Sequence, residues 1–337
     1  MRKTLNIIAA ALVFASCGGN QHKAEDPLAD SGRTQRTENL LTNLKMLGDS
    51  SVYLFGHHDD TVYGIGWEGD EDRSDVKSVC NDYPALLSFD LGNIELGDTT
   101  NLDGVPFNRI RQEIIKHFDH GGMITLSWTI EKADKSDAEI DKIAHFLNSL
   151  ETPYGVKVPI LFRLRGSFNK SLWQKTAERL KDQDVVNALY AYSSDTEPDG
   201  DETRYMERYP GDDIIDLMGL DFYCTAPEAD TTQIAQYVAT LNKNLAMVCA
   251  VAQKHNKAVA LTETGYECIK TKDWWTATLA PVLARHPICY VLVWRNAYNR
   301  PHYYFAPYPG QQSAVNFVRF YNDKRTIFLS DLNGLYY

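Results

Sequence analysis

From residue 37 onward the chain alternates between two hydrophobic rhythms. Short apolar runs recur at Val52–Phe55, Ala85–Leu91, Met123–Trp128, Pro159–Leu164, Ala188–Tyr192, Ile215–Leu220, Ala258–Thr262 and Cys289–Trp294. Runs of that length predict buried strands. Between most of them, apolar residues return every three or four positions: Phe107–Phe118, Glu139–Leu150, Leu172–Lys181, Ile234–His255 and Trp274–Ala284. That spacing predicts helices with one buried face. Strands that alternate with helices imply a parallel sheet, because parallel neighbours need long crossovers. Eight such runs without a break predict a single-domain α/β fold over residues 37–337, a (β/α)8 TIM barrel. No Gly-x-Gly-x-x-Gly follows the first strand, which argues against a dinucleotide fold. A further helix is predicted over Thr37–Leu47, where Leu40, Leu41, Leu44 and Leu47 share a face ahead of Gly48.

The first 36 residues follow neither rhythm. Arg2 and Lys3 precede a nearly unbroken apolar run, Leu5–Ala15, too short to span a bilayer. Residues 1–16 read as a signal peptide. Small residues just ahead of Cys17 resemble a bacterial lipoprotein signal, in which the Cys becomes the lipid-bearing first residue. Residues 17–36 are polar and of mixed charge, and read as a flexible tether. The expected location is therefore outside the cytoplasm, on a membrane through Cys17, at the cell surface or in the periplasm.

Composition narrows the partners. The net charge of −11 disfavours nucleic acid and anionic membrane surfaces. With 19 Tyr and 6 Trp there is ample flat ring area for stacking on a neutral sugar, though aromatics also fill cores. Besides Cys17 there are Cys80, Cys224, Cys249, Cys268 and Cys289, with no Cys-x-x-Cys among them. No thiolate zinc site and no disulfide framework follow. A monomer without cofactor or metal is expected.

Chemistry in a parallel barrel sits at the C-terminal strand ends. Ala258–Leu261 leads into Thr–Glu263–Thr–Gly, so the seventh strand presents one carboxylate, Glu263, at that edge. Strand one ends in His57–His58–Asp59–Asp60. Adjacent strand residues point to opposite faces, so the two His do not share one metal. One of them faces the site, or is a structural His bonded to a backbone carbonyl. Other ends carry Asp90, Trp128, Asp221, Tyr223 and Trp294–Arg295, followed by the aromatic loop His302–Phe305. Together these suit the lining of a saccharide cleft. His117 and His120 lie on a helix outside the barrel, and no Gly-x-Ser-x-Gly elbow occurs, so neither metal nor serine hydrolysis is read.

Six segments resemble glycoside hydrolase family 26 in their order along the chain. They are Gly56–His57 with Asp59, Tyr63–Trp67, Asp90–Glu95, Thr125–Trp128, Thr262–Gly265 and Val293–Ala297. The family consists mostly of endo-β-1,4-mannanases on (β/α)8 barrels, and the leader and Tyr-rich style resemble Bacteroidetes members that digest hemicellulose. The resemblance implies β-mannan or a manno-oligosaccharide as substrate. It also implies a retaining mechanism with two carboxylates about 5–5.5 Å apart. Glu263 matches the nucleophile, Tyr223 the tyrosine bonded to it, and Trp294 the ring beneath the sugar at the cleavage point. His57, Trp67, Trp128 and Arg163 fall among the substrate-binding positions.

Strand four departs from that pattern. The family has an Arg followed by a His-Glu pair, the Glu being the acid/base. Here Phe162–Arg163–Leu–Arg–Gly–Ser–Phe168 keeps the Arg and places Gly166–Ser167 where the pair belongs, or else the segment is deleted. No carboxylate remains in either register. Thr129 also stands where a substrate-binding His usually follows Trp128. Glu131 and Glu197 are the nearest substitutes in the sequence, on separate loops without an evident orienting partner. A general acid contributes about 10²–10⁴-fold, so turnover of intact mannan is expected to be very low. The alternative is a barrel that holds glycan at a cell surface without cleaving it.

Overall fold

The computed structural model describes residues 26–194, 198–225 and 228–337. The signal peptide, Cys17, most of the tether and Glu197 lie outside the described residues.

Eight parallel strands form the barrel: β1 (Tyr53–His58), β2 (Leu86–Asp90), β3 (Met123–Ile130), β4 (Ile160–Gly166), β5 (Ala188–Ser194), β6 (Leu217–Cys224), β7 (Ala258–Tyr266) and β8 (Tyr290–Val293). The sheet closes where β8 returns to β1, with Leu54 opposite Tyr290 and Gly56 opposite Leu292. The (β/α)8 expectation is met. Most strands run past their apolar cores into the polar residues of the mouth. β3, β4, β6 and β7 each end two to four residues later than the hydrophobic run alone suggested, because ladder pairing continues where the side chains turn polar.

Two apolar layers fix which side chains look inward. Leu54, Leu86, Leu161, Leu189, Leu217 and Leu292 fill the barrel interior. Phe55, Phe89, Trp128, Phe162 and Trp173 belong to the larger cluster between sheet and helices. Gly56 sits on the inward face, where an added Cβ would meet Leu86 and Leu292 at 2.9 and 3.0 Å. Since side chains alternate along a strand, positions 54, 56 and 58 of β1 face the interior and 57 faces the helices.

The first helix spans Gln35–Asp49, two residues longer at each end than its leucine pattern, and its cap is Thr34, whose side chain accepts from the Thr37 N–H. Residues 26–36, read in the sequence as the end of a tether, are held against the barrel. The Arg33 guanidinium makes two bonds to Asp216 at 2.9 and 2.8 Å, and the Thr34 N–H donates to the Val186 carbonyl at 2.9 Å. The expected helix Trp274–Ala284 begins instead as a π-helical turn, Trp274–Leu279, before a short α-helix, Ala280–Leu283. Pro281 lacks the N–H that a regular α-helical ladder needs there. All five described cysteines are free.

Candidate active site

An irregularity in β7 aims the central carboxylate. Between Gly219 and Asp221 β6 advances two residues, while its partner β7 advances three, from Ala260 to Glu263. Against β8 the excess recurs, with Leu261 to Thr264 paired to Val291 to Val293. One extra residue in β7 breaks the strict alternation, as a bulge does. The neighbours Thr262 and Glu263 therefore both serve the barrel interior. The Thr262 hydroxyl donates to Asp221 at 2.7 Å, and Glu263 meets the arginines of β4.

Glu263 is buried and surrounded by donors. Tyr223 donates its O–H to Oε2 at 2.8 Å. Arg163 donates to Oε1 and also holds Asp221 at 3.0 Å, so one guanidinium ties two carboxylates together. Arg165 adds Nε at 2.9 Å from Oε1 and an N–H at 3.0 Å from Oε2. Burial pushes the Glu263 carboxyl up, but the pull of Arg163 and Arg165 outweighs it, so its pKa lies below the ordinary glutamate value. Burial dominates at Asp221, whose pKa is raised despite Arg163. Tyr223 is raised well above its usual value by burial and by Glu263, and stays a donor. The arrangement is an ionised carboxylate with a fixed direction, able to act as a nucleophile toward an electrophilic carbon above it.

The opposite wall comes from β2, β3 and β4. Asp90 accepts from the hydroxyls of Ser127 and Thr129 at 2.5 and 2.6 Å, and from the Gly92 N–H at 2.6 Å. Arg165 bridges the two walls, since a terminal nitrogen also lies 4.0 Å from Asp90. Its guanidinium carbon rests 4.6 Å from the centre of the Trp294 ring. His58 stacks on the same indole at 4.2 Å and 14°. Trp294 is half-buried, and its N–H donates to the Tyr303 hydroxyl at 3.1 Å. Both His58 and Arg165 thus pack against the Trp294 ring.

The structure brings Arg163, Tyr223, Glu263 and Trp294 together and sets three other sequence candidates apart. His57 points outward, its Nδ1 bonded to Asp60 at 2.6 Å, and the inward His is His58. Trp128 is fully buried in the outer core layer, because its neighbours Ser127 and Thr129 take the inward positions. Trp67 is also buried: its N–H donates to Asp75 at 2.8 Å and Arg73 stacks over it. None of the three has a surface to offer a glycan at the mouth. Where the acid/base was sought, Gly166 takes a left-handed conformation, and a Cβ there would lie 2.6 Å from the Ile130 carbonyl. Ser167 is exposed and donates its N–H to that same carbonyl. Glu131 is exposed just beyond β3. Arg165 is the residue the sequence reading passed over. Its signal was spacing: two positions after inward Arg163, it shares the same face.

Comparison with known proteins locates this geometry. The family model for "Glycosyl hydrolase family 26" matches residues 133–272. Among solved structures, a GH26 beta-mannanase from Bacteroides ovatus is 43% identical with a TM-score of 0.82, covering 90% of this chain and 98% of that one. An endo-beta-1,4-mannanase double mutant from Cellulomonas fimi is 26% identical with a TM-score of 0.78, covering 92% and 79%. A mannan endo-1,4-beta-mannosidase of Bifidobacterium adolescentis is 28% identical over a 306-residue alignment that covers 78% of this chain, and the chain spans 30% of that relative's length.

Proposed function

Because this chain belongs to glycoside hydrolase family 26, we propose that it acts on β-1,4-linked mannan or manno-oligosaccharides, with Glu263 as the nucleophile of a retaining reaction. One observation carries the reading: a buried, ionised carboxylate beside a tyrosine donor and a half-buried indole at the C-terminal mouth of the barrel. In the first step a Glu263 oxygen bonds to the anomeric carbon as the glycosidic C–O bond breaks. The departing oxygen takes its proton from water, since β4 offers no carboxyl group. Water then releases the sugar from the ester. Without a positioned acid, a sugar alkoxide leaves slowly, whereas an aryl oxide needs little protonation.

Arg165 favours a second reading, a barrel that holds glycan with little turnover. Its guanidinium neutralises the nucleophile and lies on the indole. Paired turnover and binding measurements separate the two. Wild-type protein is expected to release the phenolate from a dinitrophenyl β-mannoside, and Glu263→Gln to abolish that release while calorimetry still detects manno-oligosaccharide. Aryl turnover unchanged by Glu263→Gln would remove the nucleophile assignment. Absence of manno-oligosaccharide binding in both forms would remove the substrate. The lipid anchor on Cys17 belongs to the same proposal, supported by the leader pattern, and labelling with a fatty acid in cells tests it.

A further inference from the structure

Against the Trp294 indole, where His58 stacks at 4.2 Å, lies a cluster that the proposed cleavage does not use. The His58 Nε2 sits 3.5 Å from Asp59 Oδ2 and 4.0 Å from Asp103 Oδ2. One donor atom from each of the three residues lies within 4.8 Å of the others. His58 and Asp59 are fully buried, and Asp103 is 14% exposed, which leaves an approach from solvent. Neither Nε2 of His58 nor Oδ1 of Asp59 has a hydrogen-bond partner among the described residues. An imidazole nitrogen buried without a partner and facing two carboxylates is costly unless something sits between them.

We infer that His58, Asp59 and Asp103 form a binding site for a divalent first-row cation of the zinc or manganese kind. Two donors held at ordinary zinc distances, about 2.1 Å from a tetrahedral ion, stand about 3.4 Å apart. The 3.5 and 4.0 Å separations are close to that value. A mixed set of one imidazole and two carboxylates suits zinc and manganese, whereas calcium and magnesium prefer oxygen alone. Each ligand also has the outer partner that metal sites provide. The His58 Nδ1 bonds to the Ser88 hydroxyl at 2.9 Å, which turns Nε2 toward the carboxylates. Tyr63 donates to Oδ2 of Asp59, the oxygen nearer His58, and Oδ1 is left without a partner. Arg295 holds Oδ1 of Asp103 at 2.8 Å and leaves Oδ2 for the ion. The ion would tie the loop carrying Asp103 to the end of β1 and fix His58 beneath Trp294.

The test is calorimetry and thermal melting on the full, untagged chain after chelator treatment, titrated with manganese or zinc alone. Manganese guards against ligation by the free thiols. One site per chain and a raised Tm are expected. Asp103→Asn, isosteric and partly exposed, should weaken affinity at least about tenfold, as should His58→Gln, with Ser88→Ala losing about tenfold through the outer partner. Absence of saturable binding overturns the inference. So does unchanged affinity in Asp103→Asn, or calcium binding in preference to both metals.

Discussion

The two walls of the cleft are built from the same kind of strand end, yet they differ in what they can do. On the β6–β7 side a one-residue bulge, the Thr262 hydroxyl and the Tyr223 hydroxyl orient Asp221 and Glu263, and each polar group has a partner. On the β3–β4 side the equivalent space holds a guanidinium instead of a carboxyl, and the chain turns away at Gly166. The first wall has what the proposed nucleophile needs. The second supplies charge balance but no proton that could leave at neutral pH, since Arg165 is held above its ordinary value by Glu263 against the opposing effect of burial. A barrel can therefore keep the carboxylate of one wall ordered while the other wall offers it only guanidinium groups, those of Arg163 and Arg165 on β4.

The largest expected effect comes from rebuilding the second wall. Arg165→Glu puts a carboxyl on the inward face of β4, opposite Glu263, where like charge and burial would raise its pKa into the range of a general acid. Hydrolysis of intact mannan should rise by about 10²–10⁴-fold over wild type. Ser167→Glu, at the position the family pattern suggests, should change nothing, because residue 167 is exposed. A gain from Ser167→Glu and none from Arg165→Glu would mean that the chain leaves β4 along another path.

Next in size is the shared arginine. Arg163→Met leaves Glu263 and Asp221 buried without the cation between them, and should cost about 3–5 kcal/mol in denaturant unfolding. A loss below about 1 kcal/mol would mean that water or Arg165 already compensates both carboxylates. Smaller again is Tyr223→Phe, which removes one hydrogen bond to a charged group. It should raise the barrier to aryl mannoside turnover by about 1.5–3 kcal/mol without altering the fold. An unchanged rate would separate the tyrosine from the nucleophile's function.

Why one wall was legible in the sequence and the other was not follows from what each depends on. The barrel was readable because its strands are buried on both faces and appear as continuous apolar runs. Glu263, Tyr223 and Trp294 stood at the ends of such runs beside matching family motifs. The face of each residue was harder to read. The family resemblance points to His57, although Leu54 and Gly56 set an inward parity that selects His58. The resemblance also counts Trp128 as lining, although its polar neighbours Ser127 and Thr129 hold the inward positions. The bulge in β7 left no mark in β7 alone, since it exists only as a register against two neighbours. The replacement of a carboxyl by Arg165 was hidden because the family pattern directs attention to residues 166 and 167, where the backbone has already turned.

The smallest effect is a shift along the pH axis, and it tests whether Arg165 joins the two walls or merely fills space between them. Glu263 is depressed below the ordinary glutamate value because Arg163 and Arg165 together outweigh burial. A carboxyl lowered in this way favours the folded state above its unfolded pKa, and that contribution is lost as pH falls through the folded value. Arg165→Met removes one of the two opposing cations but keeps the length of the side chain. The Glu263 pKa must then rise, so the acid limb of aryl mannoside turnover should move to higher pH. The acid unfolding midpoint should move the same way, because less of the depression survives. Stacking on Trp294 makes a separate prediction. If the guanidinium occupies the sugar's place, Arg165→Met also lowers the Kd for manno-oligosaccharide, since a flexible thioether yields the ring more readily than an ion pair. A tighter Kd with an unmoved acid limb would make Arg165 a plug without electrostatic influence on the nucleophile. A moved limb with an unchanged Kd would make it the reverse. Neither change would leave Arg163 as the only link between the walls.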